Sequence, residues 1–183
     1  YCLNAEKFNG SFEKISLELE ALAIQKSLQS DPDAKILVDG SIYSAASNPK
    51  TWELHKANQK EMKTGKIVFI SKSSTSKLSI AGQFTDSYYF ANATTAAGFS
   101  DPVVDSTYSV GKKITSTFIR LSDQTPLLKM ELLGHHTPEN IKQIISDLND
   151  TAIRGYPFAL ALAHQECLIT KNDMAELVSL HAL

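Results

Sequence analysis

Asp39 closes the run Lys35-Ile-Leu-Val-Asp-Gly-Ser41. Ile36, Leu37 and Val38 have the character of a short buried strand, and Gly40 and Ser41 break it. A carboxylate is thereby left at the strand's C-terminal tip, the edge of an open α/β sheet where ligands and metals collect. A second carboxylate from a neighbouring helix would complete an oxygen-ligand site for Mg²⁺ or Mn²⁺. Taken alone, Asp39-Gly40 reads first as the opening of an ordinary turn, and the rest of the chain shifts that balance. Glu20 is the natural partner: on a helical wheel it lies beside Ala23 and Ile24, at the border of the apolar face, from which it can point toward Asp39. Its other reading is a solvated helix acid. Glu18 lies on the opposite flank, where an i,i+4 pair with Lys14 gives it a surface role.

His164 stands in Ala-Leu-Ala-His-Gln on a mostly apolar helix. It reads as a satisfied boundary histidine or as a metal ligand or proton donor completing a carboxylate site. His55, His135, His136 and His181 lie in polar or terminal contexts and form no spaced ligand set. Cys2 and Cys167 show no zinc spacing and no disulfide framework. Free thiols in a reducing, cytoplasmic compartment are expected, with Cys167 packed in a helix. No GxSxG, P-loop, GxGxxG or HExxH is present, which removes support for serine hydrolase, NTPase, dinucleotide and zincin chemistry.

Those residues must be held by a soluble α/β domain. The 183 residues are 43% hydrophobic and 21% charged, with a net charge of −2, a balance that argues against general coating of nucleic acid. Lys60, Lys63, Lys66, Lys72 and Lys77 nevertheless concentrate in one region, as a local basic groove or as a solvated helix end and loop. No stretch is long and apolar enough to span a bilayer. Residues 11–29 read as a helix whose apolar face holds Phe12, Ile15, Leu19, Leu22 and Ala23, followed directly by the strand 35–39. A helix over 51–64 and a strand over Lys66-Ile-Val-Phe-Ile70 come next, implying a βαβ crossover and a partly parallel sheet. A weaker helix is expected within 85–97. Residues 114–121 and 127–132 form a hairpin. Thr137-Pro138-Glu139 starts a helix with an N-cap, a first-position proline and an acid in the first turn. A helix over 158–168 carries Leu160 and His164, and a last one begins near 171.

Taken together these segments resemble the NurA family of 5′→3′ DNA nucleases. The helix bearing Glu20, the strand ending in Val38-Asp-Gly-Ser41, and Ile67-Val-Phe-Ile-Ser-Lys72 follow the family's order. Phe84-Thr-Asp86 with Gly98 to Pro102 is similar to its Thr-Asp segment. The most specific part is Tyr156-Pro-Phe-Ala-Leu160-Ala-Leu-Ala163-His164. The resemblance spans residues 15–180, treated as one domain over 1–183.

It implies an RNase H-like mixed sheet flanked by helices and a Mn²⁺- or Mg²⁺-dependent nuclease acting on single-stranded DNA and duplex ends. It also implies work with a HerA-type hexameric helicase in end resection, and a homodimer. By the same resemblance, Glu20 and Asp39 bind metal, His164 is the C-terminal catalytic histidine and a ligand, and Lys72 contacts the DNA backbone. Glu18 is the alternate to Glu20. Such a site would hold two divalent ions about 4 Å apart for phosphodiester hydrolysis. The family's first catalytic Asp lies on a strand upstream of the Glu helix, a segment without a counterpart here. The expectation is therefore split between an active nuclease with an upstream part and an inactive relative that serves as an assembly partner for a helicase.

Overall fold

Two apolar runs decide the sheet. The computed structural model describes residues 12–47, 49–72, 79–80, 84–105 and 113–167. In it β1 (Ile36–Asp39) lies parallel to β2 (Ile67–Ser71), with Ile36 opposite Ile67 and Asp39 opposite Ile70. On the other side of β2 lies β8 (Leu128–Leu133), antiparallel, with Phe69 opposite Glu131. β7 (Ile114–Arg120) forms the expected hairpin with β8, in register from Ile114–Leu133 to Ile119–Leu128. Two short strands, β5 (Gly98–Phe99) and β6 (Val103–Asp105), pair along the far side of β7. The small hairpins β3 (Ser79–Ile80) with β4 (Phe84–Thr85) and β9 (Ala152–Ile153) with β10 (Tyr156–Pro157) stand apart from this mixed sheet.

β2 is a continuous apolar run because helices cover both of its faces. Ile67 and Phe69 join Ile24, Val38, Ile42, Trp52 and Met62 in one core cluster. Apart from Val38 of β1, these come from α1 (Phe12–Ser30), α2 (Ile42–Ser47), α3 (Pro49–Lys56) and α4 (Gln59–Lys63). Val68 and Ile70 join Met130, Leu132, Ile141, Ile145, Leu148 and Leu160 in the other cluster. There the helices are α6 (Pro138–Asp150) and α7 (Phe158–Glu166). The α6 start is as expected: Thr137 Oγ1 accepts from the Asn140 N–H, and Pro138 takes the first turn. α5 (Asp86–Ala93) falls within the weaker helical segment.

Four expectations need correction. The helix over 51–64 is two helices, interrupted where Ala57 and the buried Asn58 turn. α2, six residues directly after Ser41, was concealed by the turn character of Asp-Gly-Ser. Among the described side chains of α1 the buried residues are Ala21 and Ile24, whereas Leu19 and Leu22 are exposed at 61% and 47% and Ala23 is exposed too. Apolar side chains run around most of that helix, so spacing alone could not choose the inward face. Cys167 is exposed rather than packed, because α7 turns its Leu160 side to the core and leaves its last turn open. Cys2, the helix near 171 and Lys77 fall outside the described residues.

Candidate functional site

Among the described residues β1 has a strand partner on one side only. α1 lies against one face of the sheet and α7 against the other. Between them is a cleft of about 320 Å³. Glu20 and Ser27 line it from α1, Ile36 to Asp39 from β1, and Ala163, His164 and Cys167 from α7. Glu20, Asp39 and His164, widely separated in sequence, thus share one cavity. Glu18 is not among its lining residues.

The electrostatics of the cleft are those of two acids in a partly dry place. Burial, and then the charge of Asp39, push the Glu20 carboxyl up to about 7. Asp39 is better placed, with 44% of its side chain exposed and the Lys72 ammonium 4.0 Å from its Oδ2. Lys72 directly follows the end of β2, two residues beyond Ile70, which faces Asp39 in the parallel register, and also lies 4.8 Å from the centre of the Tyr156 ring. Lys72 is therefore at the rim of the carboxylate site.

Tyr156 and His164 come from one local device. Gly155 adopts φ +72, and a Cβ there would stand 2.3 Å from Thr125 Oγ1, so only glycine fits the turn. Tyr156 and Pro157 then form β10, Pro157 leads into α7, and Leu160 anchors that helix in the core. Tyr156 appeared in the sequence only as part of a pattern; its ring lies beside Lys72 at the rim of the site.

Glu131 was missed altogether. It is 1% exposed, accepts hydrogen bonds from Ser41 and the Ile42 N–H, and pairs with Lys129. The available signal was Lys129 and Glu131 at a spacing of two inside an apolar strand, since charges in so buried a strand must be paired.

The donor set bears on the metal expectation. Two neighbouring carboxylates supply hard oxygen ligands, and a divalent cation between them would favour the ionised form of Glu20 against its burial and the charge of Asp39. Among the described residues no group of three or more His, Cys, Asp or Glu side chains converges to hold an ion. The pair fits in kind a cation that keeps several of its waters, as Mg²⁺ does. No helix of the described residues is long and apolar enough to cross a membrane.

Comparison with known proteins agrees with this architecture. The structure is similar to the crystal structure of the NurA nuclease from Sulfolobus solfataricus, with TM-score 0.77 at 22% identity. That match covers 93% of this chain and 66% of the other, so the chain spans less than two thirds of that nuclease's length. A second crystal structure, of NurA, matches over 70% of this chain and 35% of its own at 16% identity, with TM-score 0.48. No curated protein sequence matches. The fold is thus the RNase H-like mixed sheet flanked by helices that the resemblance implied. The NurA domain family model matches residues 8–167, most of the chain, and the chain accordingly belongs to the NurA family.

Proposed function

We propose that this chain is the catalytic part of a metal-dependent DNA nuclease, cutting 5′→3′ from ends and within single strands. The reading rests on one observation: Glu20, raised by burial beside Asp39, faces the same cleft as His164 at the open tip of the sheet. Glu20 and Asp39 hold the cation, Mn²⁺ or Mg²⁺. His164, on the opposite wall, is the proton donor or completes the ligand set. A cation bound there would lower the pKa of water and offset phosphate charge. A second ion would need donors beyond the two carboxylates.

The rest of the site serves the DNA. Lys72 reaches the backbone phosphates from the rim, and its place over Tyr156 keeps its ammonium aimed at the cleft. Lys72→Ala is expected to weaken binding of all sequences alike. The slope of log affinity against log salt should fall by about 0.7 on single-stranded DNA. Filter binding across a salt series checks this, and an unchanged slope removes Lys72 from the interface. End resection beside a HerA-type hexameric helicase, as a homodimer, completes the proposal.

The test is cleavage of 5′-labelled single-stranded and blunt duplex DNA in Mn²⁺, in Mg²⁺ and in EDTA. Cutting in a divalent cation and none in EDTA is expected. Folded protein that cuts in neither metal would sink the active reading. The second reading, a catalytically inactive partner of a helicase, is favoured by one observation, that only two carboxylates converge among the described residues. It predicts binding to the hexamer without cleavage.

A further inference from the structure

The buried carboxylate of Glu131 takes no part in the proposed chemistry, yet its contacts all bear on the turn that follows Asp39. Glu131 lies in the middle of the sheet, opposite Phe69 of β2 and Ser116 of β7. Its Oε2 accepts from Ser41 Oγ at 2.7 Å and from the Ile42 N–H at 2.9 Å. Its Oε1 meets Lys129 Nζ at 3.1 Å, and both side chains are nearly closed to solvent, 2% and 12% exposed. Ser41 Oγ in turn accepts from the Tyr43 N–H at 3.2 Å. Lys129 lies 5.5 Å from the centre of the Tyr43 ring, and the Tyr43 hydroxyl donates to Asp105 at 3.1 Å.

A buried ion pair is a poor device for stability alone, because desolvation offsets most of its attraction. What this one does is geometric. Hydrogen bonds to a carboxylate are short and directional, and two of them fix Ser41 and Ile42 to a rigid central strand. Asp39 is two residues upstream, and the Gly40 N–H is held to the Ile70 carbonyl at 2.9 Å. With Gly40 held at one end and Ser41 and Ile42 at the other, the backbone that directly follows Asp39 is fixed on two sides.

We propose that Glu131 is a positioning residue for metal binding, acting through Ser41 and the α2 N-terminus to hold Asp39 toward Glu20. This rests on the reading of Glu20 and Asp39 as cation ligands. Groups that orient ligands in this way change metal affinity by about 10- to 100-fold when removed.

The test measures Mn²⁺ binding through the electron paramagnetic resonance signal of free Mn²⁺, beside thermal unfolding. Glu131→Gln with Lys129→Met removes the charged pair without leaving a lone buried charge. It is expected to weaken Mn²⁺ about tenfold. Ser41→Ala leaves the ion pair and the Ile42 bond intact, and should weaken Mn²⁺ by less than the double variant does while staying folded. Ile145→Ala, in the opposite core, is the control: it loses stability and keeps the wild-type Kd. Wild type that binds Mn²⁺ with both folded variants unchanged overturns the positioning role alone. If the double variant does not fold, Ser41→Ala decides. Wild type that binds no Mn²⁺ overturns the metal reading and the positioning role with it.

Discussion

Glu20→Gln is expected to abolish cleavage and to make the protein more stable at pH 8. Glu20 titrates near 7 in the fold, raised from 4.5 by burial and by Asp39. Because the folded value is the higher one, the unfolded chain gives up this proton first as pH rises. Stability contributed by the protonated carboxyl is therefore complete below about 4.5 and lost as pH rises through 7. The shift alone corresponds to about 3 kcal/mol, and partial exposure of the side chain screens it to about 1–2 kcal/mol. Glutamine removes the charge, so its melting temperature at pH 8 should exceed wild type by about 3–6 °C. At pH 4.5 that gain should vanish. Activity should fall about 1,000-fold, the loss of about 4 kcal/mol of charge stabilisation. Asp39→Asn should lose as much activity and gain less stability, since it relieves the repulsion but not the burial of Glu20 and gives up the Lys72 pair, and the double variant should gain less than the sum. Residues kept for packing lose stability when changed. A melting point at pH 8 that falls in Glu20→Gln, or cleavage that survives it, would sink the assignment of this pair.

The parts of this site that depend on local pattern were legible in the sequence. Ile36–Asp39 and Ile67–Ile70 are short β-branched runs bounded by turns, and they are β1 and β2 within a residue. The wheel placed Glu20 beside Ile24, which is where the fold puts it, although the rest of that helix face was misjudged. What sequence could not supply was adjacency across the sheet. Glu131 matters because β8 lies next to β2 and so reaches the turn after β1, a pairing between residues 90 apart. Histidine contexts failed for the same reason. His55 and His136 have polar neighbours in sequence, yet they are 0% and 5% exposed. On α3 the chain neighbours of His55 point elsewhere, and His136 sits in the connection from β8 to α6, so neighbours in sequence say little about what surrounds either ring.

His55 leads to the second large effect, a loss of stability in mild acid. It lies on α3 with Trp52 6.2 Å and Phe69 6.1 Å away between ring centres, and neither ring nitrogen has a hydrogen-bond partner among the described residues. His136 differs, with its Nε2 3.1 Å from the Leu133 carbonyl. Burial pushes His55 down to about 4 from 6.5. The folded value is now the lower one, so the unfolded chain takes up the proton first as pH falls. The contribution of neutral His55 is full above about 6.5 and is lost progressively toward pH 4. The amount is about 3 kcal/mol, a large share of the about 5–15 kcal/mol that holds a domain folded. Glu20 acts in the opposite sense over much of this range, gaining stability as it is protonated. A wild-type curve alone would blur the two. The comparison that isolates His55 is His55→Leu against wild type, by urea unfolding from pH 4 to pH 8. Leucine fills a similar volume and has no ring nitrogens to leave unpaired. The difference between the two proteins should be flat above pH 6.5 and shift by about 3 kcal/mol in favour of the leucine variant by pH 4. Parallel curves across the whole range would mean that His55 finds a proton acceptor in the folded core, and the acid sensitivity would then have to come from another group.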